Sequence, residues 1–200
     1  MKSPIFIPSD YVSGRSALAT STPYWTPGAI QHVHQHFDLT DVLVIEAGSG
    51  GSTLFFSERC SQVITFESDK NGWGAKIASV LAQRKIKNVE LIQGFAPSDP
   101  TPLYSACKNL PPPKCPVLLA VDSGENFNRE EIQKILMSWA GDYVRFIVAD
   151  NFGDVEHWHR QGTLSTEEAI AELGSNWDGA EYRDPAWRGY GTRVFWRTDK

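Results

Sequence analysis

Residues 41–58 read DVLVIEAGSGGSTLFFSE, and their pattern decides the fold. The apolar run over 41–46 is short and continuous, as in a strand buried on both faces of a sheet. Gly48, Ser49, Gly50 and Gly51 follow. Small residues here let the backbone turn tightly and approach a ligand with no Cβ in the way. Residues 52–59 then fit a short helix. The acid Glu46 stands at the lip of the turn. Taken alone, such a turn also suits a plain strand-to-helix connection that binds nothing.

The alternation continues outward. Upstream, WTPGAIQHVHQHF (25–37) starts a helix, with Thr26 placed to cap it and Pro27 at its first position. Ile30, Val33 and Phe37 share one face. Downstream, strands are expected at 62–67, 88–93, 116–122 and 143–150. A helix is expected at 71–83, with Trp73, Ile77, Val80 and Leu81 on one side. Further helices begin at two capping boxes, Asn128 with Glu131 and Ser165 with Glu168, and Gly174 stops the second. Residues 96–114 hold six prolines and read as a loop with a helical turn or two. Two β-rich pieces, 180–183 and 192–197, close the chain. Strands alternating with helices imply right-handed βαβ units in a mostly parallel α/β sheet. One domain over 25–200, after an irregular segment 1–24, is the expected organisation.

Composition bounds the partners. The net charge is −5, which does not favour a surface that tracks nucleic-acid phosphates. No apolar run approaches the roughly 20 residues that cross a bilayer. Cys60, Cys107 and Cys115 form no disulfide or zinc pattern, and reduced thiols in a cytoplasmic compartment are expected.

Ligands of such sheets bind beyond the carboxyl ends of the strands. That rule lines up Glu46, Glu67, Gln93, Asp122 and Asp150 along one rim. A dinucleotide turn needs a third glycine where this chain has Thr53, and Glu46 would repel a pyrophosphate. A carboxylate there suits a cation. S-adenosylmethionine carries an ammonium and a sulfonium and no phosphate, so it fits better than NAD. Glu67 lies 21 residues beyond Glu46, where an acid accepts hydrogen bonds from ribose hydroxyls; the alternative is a solvated strand end.

VLVIEAGSGGST, ITFESD and NVELIQG together resemble the first three motifs of class I S-adenosylmethionine-dependent methyltransferases. YWTPGAIQHV and GYGTRVFWR resemble a branch of small methyltransferases in that superfamily. The resemblance spans about residues 24–197. It implies a Rossmann-like, doubly wound sheet of seven strands, mostly parallel, with an antiparallel last strand. It implies donor contacts from Glu46, Gly48, Ser49, Gly50, Gly51, Thr53, Glu67 and Asp122. Adenine falls near the end of the third strand, where Gly94 and Phe95 stand; Phe95 suits either adenine or the core.

Asp122, Asp150 and Asn151 resemble the ligands of metal-dependent O-methyltransferases, which implies a Mg²⁺ site there. The chain departs from that pattern at Glu125, where the family has lysine. Asp122 could instead act as a general base or orient the acceptor. His157 and His159 follow the fifth strand and are further candidate bases, His157 the nearer to Asp150. Trp158, Trp187 and Tyr190 could wall an acceptor pocket or simply pack, and Arg188 could pair with an acidic acceptor or be solvated. His32 and His36 share a helix face but read as surface residues. The expected function is methyl transfer to a small-molecule acceptor, oxygen before nitrogen. Nucleic acid and membrane are not expected as partners. The other readings are a catalytically silent adenosyl-binding or partner-interaction module and, third, an NAD-dependent oxidoreductase.

Overall fold

The computed structural model describes residues 2–7, 17–68, 72–94, 101–122, 129–152, 166–184 and 191–199. Strands β1 (Leu43–Ala47), β2 (Gln62–Glu67), β3 (Val89–Gln93), β4 (Val117–Val121), β5 (Val144–Phe152), β6 (Trp177–Arg183) and β7 (Gly191–Arg197) form one sheet. Its order is β3-β2-β1-β4-β5-β7-β6. Only β7 runs against its neighbours, pairing antiparallel with β5 and β6. This is the Rossmann-like, seven-stranded sheet expected, with its reversed last strand.

The helices are α1 (Ala17–Thr20), α2 (Pro27–His36), α3 (Gly51–Ser57), α4 (Trp73–Gln83), α5 (Thr101–Asn109), α6 (Arg129–Ala140) and α7 (Thr166–Leu173). They divide between the two faces, because each central strand is apolar on both sides. On one face Ile45, Ala47, Leu119 and Val121 pack with Leu103, Cys107 and Leu136 from α5 and α6. On the other, Val44, Leu118, Ala120 and Val148 pack with Ile30 and Val33 of α2 and Phe55 and Phe56 of α3. All five residues of β1 and all five of β4 are buried.

Two local expectations change. Residues 101–109 are helical rather than mostly loop. Leu103 and Cys107, four apart, are both buried in the core, so one face of the segment pays for the helix. The prolines do not break it: Pro102 falls in the first turn, where no intrahelical N–H is needed, and the next three follow the end. Thr26 does precede α2 with Pro27 at its first turn, but its hydroxyl makes no cap. Instead its N–H donates to Thr192 Oγ1 on β7 at 3.0 Å. A β-carbon on Gly28 would lie 2.7 Å from the Tyr182 ring, so α2 seats on β6 only because that residue is glycine. Gly174, at φ 115°, ends α7 as expected. The capping positions Asn128 and Ser165 lie outside the described residues.

Candidate functional site

The strand order reverses between β1 and β4, and the chain leaves both strands at the same end. Asp122 N–H donates to Ala47 O at 2.9 Å, which ties the two exits together. A cleft of about 420 Å³ opens there. The glycine turn, Ser52, Tyr24, Trp73, Lys76 and Asp122 line it.

The turn is fixed from behind and from the side. Gly48 adopts φ 94°, a left-handed conformation that favours glycine, and its N–H donates to Phe66 O at 2.9 Å. Ser49 donates twice to Glu67 Oε2, from its N–H at 2.8 Å and its hydroxyl at 2.6 Å. Trp73 Nε1 donates to Ser49 O at 2.8 Å. Gly50 N–H donates to Thr53 Oγ1 at 2.9 Å, and the same hydroxyl donates to Glu46 Oε2 at 2.6 Å.

The glycines divide by task. A β-carbon on Gly50 would meet nothing within 4 Å, so that position faces open space. A β-carbon on Gly51 would lie 2.0 Å from Thr22 O, so that glycine admits the α1 segment. Gly94 adopts φ 94° with open space beside it, and its N–H donates to Glu67 O at 3.2 Å.

Glu46 is fully buried, behind the turn rather than at its lip. It stands beside Thr65 in the β1–β2 register. Burial raises its pKa to about 7, and the negative charge of Asp122 adds to the rise; the hydroxyls of Ser52, Thr53 and Thr65 oppose it. Among the described residues, none stands within hydrogen-bond geometry of its Oε1. Such an orphaned buried acceptor would be worsened by a neighbouring anion, and the turn residues Gly48–Ser52 stand between it and the cleft they line. Glu67 is 6% exposed.

The acid rim does not assemble into a metal centre among the described residues, where no group of three His, Cys, Asp or Glu side chains could hold an ion. Asp122 lines the cleft. Asp150 is 1% exposed, and Thr192 Oγ1 donates to its Oδ1 at 2.5 Å. The side chain of Asn151 is outside the described residues. With one of its three members outside the described residues, the Mg²⁺ arrangement that the resemblance implies stays an expectation. Phe95, His157, Trp158, His159, Trp187, Arg188 and Tyr190 also lie outside the described residues.

His36 is exposed, as expected, but His32 is not a plain surface residue. The Tyr182 hydroxyl is 2.5 Å from His32 Nδ1, and the His32 ring stacks on Trp196 with centroids 4.9 Å apart. Burial, and then the charge of His36, lower the His32 pKa. Tyr24, Ser52, Thr65 and Lys76 belong to the site or its support and were not legible as such. Lys76 follows Trp73 by one helical turn and holds its ammonium 4.8 Å from that ring centroid, a spacing that could have flagged it. Thr65 becomes a neighbour of Glu46 only through strand register.

No family model matches the chain, and no curated protein matches it either. Solved structures do. The O-methyltransferase TomG from Streptomyces achromogenes, involved in tomaymycin synthesis and solved with S-adenosylmethionine, superposes with a TM-score of 0.59 at 17% identity, covering 93% of this chain and 91% of that one. The METTL16 methyltransferase domain gives 0.58 at 11% identity, covering 87% and 69%. An rRNA methylase from Streptococcus thermophilus gives 0.52 at 13% identity, covering 81% and 90%. The chain therefore shares the fold of these methyltransferases. No described helix is long and apolar enough to cross a membrane.

Proposed function

We propose that the chain binds S-adenosylmethionine in the β1–β4 cleft and transfers its methyl group to a small-molecule oxygen. The observation that carries this reading is the chain of hydrogen bonds from Gly50 N–H through Thr53 to buried Glu46. It holds a carboxyl group, with one oxygen unpartnered among the described residues, beneath the turn, where a phosphate would be repelled and a cation welcomed. Glu67 then takes the ribose hydroxyls, the Gly48–Gly51 turn gives the donor room, and the open space beside Gly94 receives adenine.

In the reaction the donor's S–CH₃ bond breaks as the acceptor's O–CH₃ bond forms, and S-adenosylhomocysteine leaves. The acceptor proton goes to Asp122 or His157, whichever the acceptor pose favours. The donor is already activated, so alignment and exclusion of water are the chain's main contributions, on the order of 7–11 kcal/mol.

Calorimetric titration with S-adenosylmethionine, S-adenosylhomocysteine and NAD tests the cofactor. The first two are expected to bind; binding of NAD alone overturns the proposal. A screen with labelled donor, across small molecules and RNA, tests the acceptor. Label transferred only to RNA would overturn the small-molecule assignment. Label transferred to nothing, with tight donor binding, would favour a silent adenosyl-binding module.

A further inference from the structure

Ser49 presents its N–H and its hydroxyl from adjacent carbons, since N, Cα, Cβ and Oγ form a vicinal pair of donors. Both converge on one oxygen, Glu67 Oε2, at 2.8 and 2.6 Å. A ribose cis-diol offers the same pattern: two donors on adjacent carbons, aimed at a carboxylate. Among the described residues, Glu67 Oε1 receives only Ser68 Oγ, at 3.3 Å. Glu67 is nearly buried, so few other donors reach it.

We propose that Ser49 is an internal stand-in for the ribose diol, and that a nucleoside must displace its hydroxyl from Glu67 in order to bind. This rests on the donor reading above. Exchange keeps the carboxylate satisfied at every stage, because a buried acceptor that lost its donors would be costly. The price is affinity: part of each new ribose hydrogen bond only replaces one that Ser49 already made. The exchange is also reported at a distance. Ser49 O is held by Trp73 Nε1 at 2.8 Å, and Trp73 lines the same cleft. Movement of Ser49 therefore alters the surroundings of that indole.

The test is a calorimetric comparison of wild type, Ser49→Ala and Ser49→Thr, each first checked for cooperative thermal unfolding. Ser49→Ala removes the competing hydroxyl and keeps the N–H. It is expected to bind S-adenosylhomocysteine about two- to tenfold more tightly, the range of one net hydrogen bond. Adenosine, which carries the diol without the amino-acid arm, is expected to show the same gain. Ser49→Thr keeps both donors and is expected to match wild type. Tryptophan emission should change on binding in wild type and change less in Trp73→Phe. If wild type binds while Ser49→Ala binds equally or more weakly, the inference is overturned and the donor reading stands. A gain with S-adenosylhomocysteine but not with adenosine also overturns it. If no form binds either ligand, the donor reading itself fails.

Discussion

The Thr53 hydroxyl lies 2.6 Å from Glu46 Oε2 and donates to it while accepting the Gly50 N–H. A single side chain thus joins the glycine turn to a carboxyl group that water does not reach. Thr53→Val keeps the shape and removes both bonds. It is expected to destabilise the fold by ~1–3 kcal/mol, the cost of leaving buried polar groups unpartnered, measured by urea unfolding. Wild-type stability would show that Glu46 finds another donor.

The same carboxyl predicts a pH dependence. Its folded pKa of about 7 lies above the ordinary 4.5, so the folded state holds a proton that the unfolded state releases. This contribution is fully present below about 4.5 and is lost as pH rises to about 7. Its size is roughly 3 kcal/mol. Glu46→Gln should flatten that part of the stability profile and be more stable than wild type at pH 8. It should also bind S-adenosylmethionine more weakly. Unchanged donor affinity would remove Glu46 from the site.

His32 works in the opposite direction. Burial and His36 lower its pKa, so the neutral ring is favoured in the fold. That stability is complete above the unfolded value of 6.5 and is lost as pH falls below it. His32→Phe should lessen the drop in Tm between pH 7 and pH 5. An identical drop would place its origin elsewhere.

Gly50 and Gly51 are adjacent and should respond differently. Gly51→Ala drives a β-carbon against Thr22 O and is expected to lose on the order of 3 kcal/mol or more. Gly50→Ala meets nothing within 4 Å, so it should fold normally and bind donor less well. Equal loss of stability in both would contradict the division of tasks.

Asp150 is expected to act as a fold residue. Asp150→Asn and Thr192→Val should each lower stability by ~1–3 kcal/mol through the bond they share. EDTA should leave wild-type Tm and methyl transfer unchanged. Loss of transfer restored by added Mg²⁺ would assign the rim a metal role.

The strand–turn–helix order was legible because β1 and β4 are apolar on both faces and the glycines mark the turn. The site was legible only as a set of positions. That Glu67 faces Ser49 depends on the turn's hydrogen bonds, and that Asp150 is closed off depends on Thr192, 42 residues away in sequence. Residues 101–109 misled because proline content outweighed the apolar pair Leu103 and Cys107. Helix α2 was readable, but its aromatic seat on β6 and β7 was not, since Tyr182 and Trp196 are remote in sequence.

That seat has a kinetic consequence. Thr26 and Thr192 are 166 residues apart, yet their contact fixes an early helix onto the last strand of the sheet. A growing polypeptide cannot complete the seat of α2 until β7 has emerged and slotted between β5 and β6. Maturation should therefore be slow and governed by distant pairing, with sticky surface exposed in the interim.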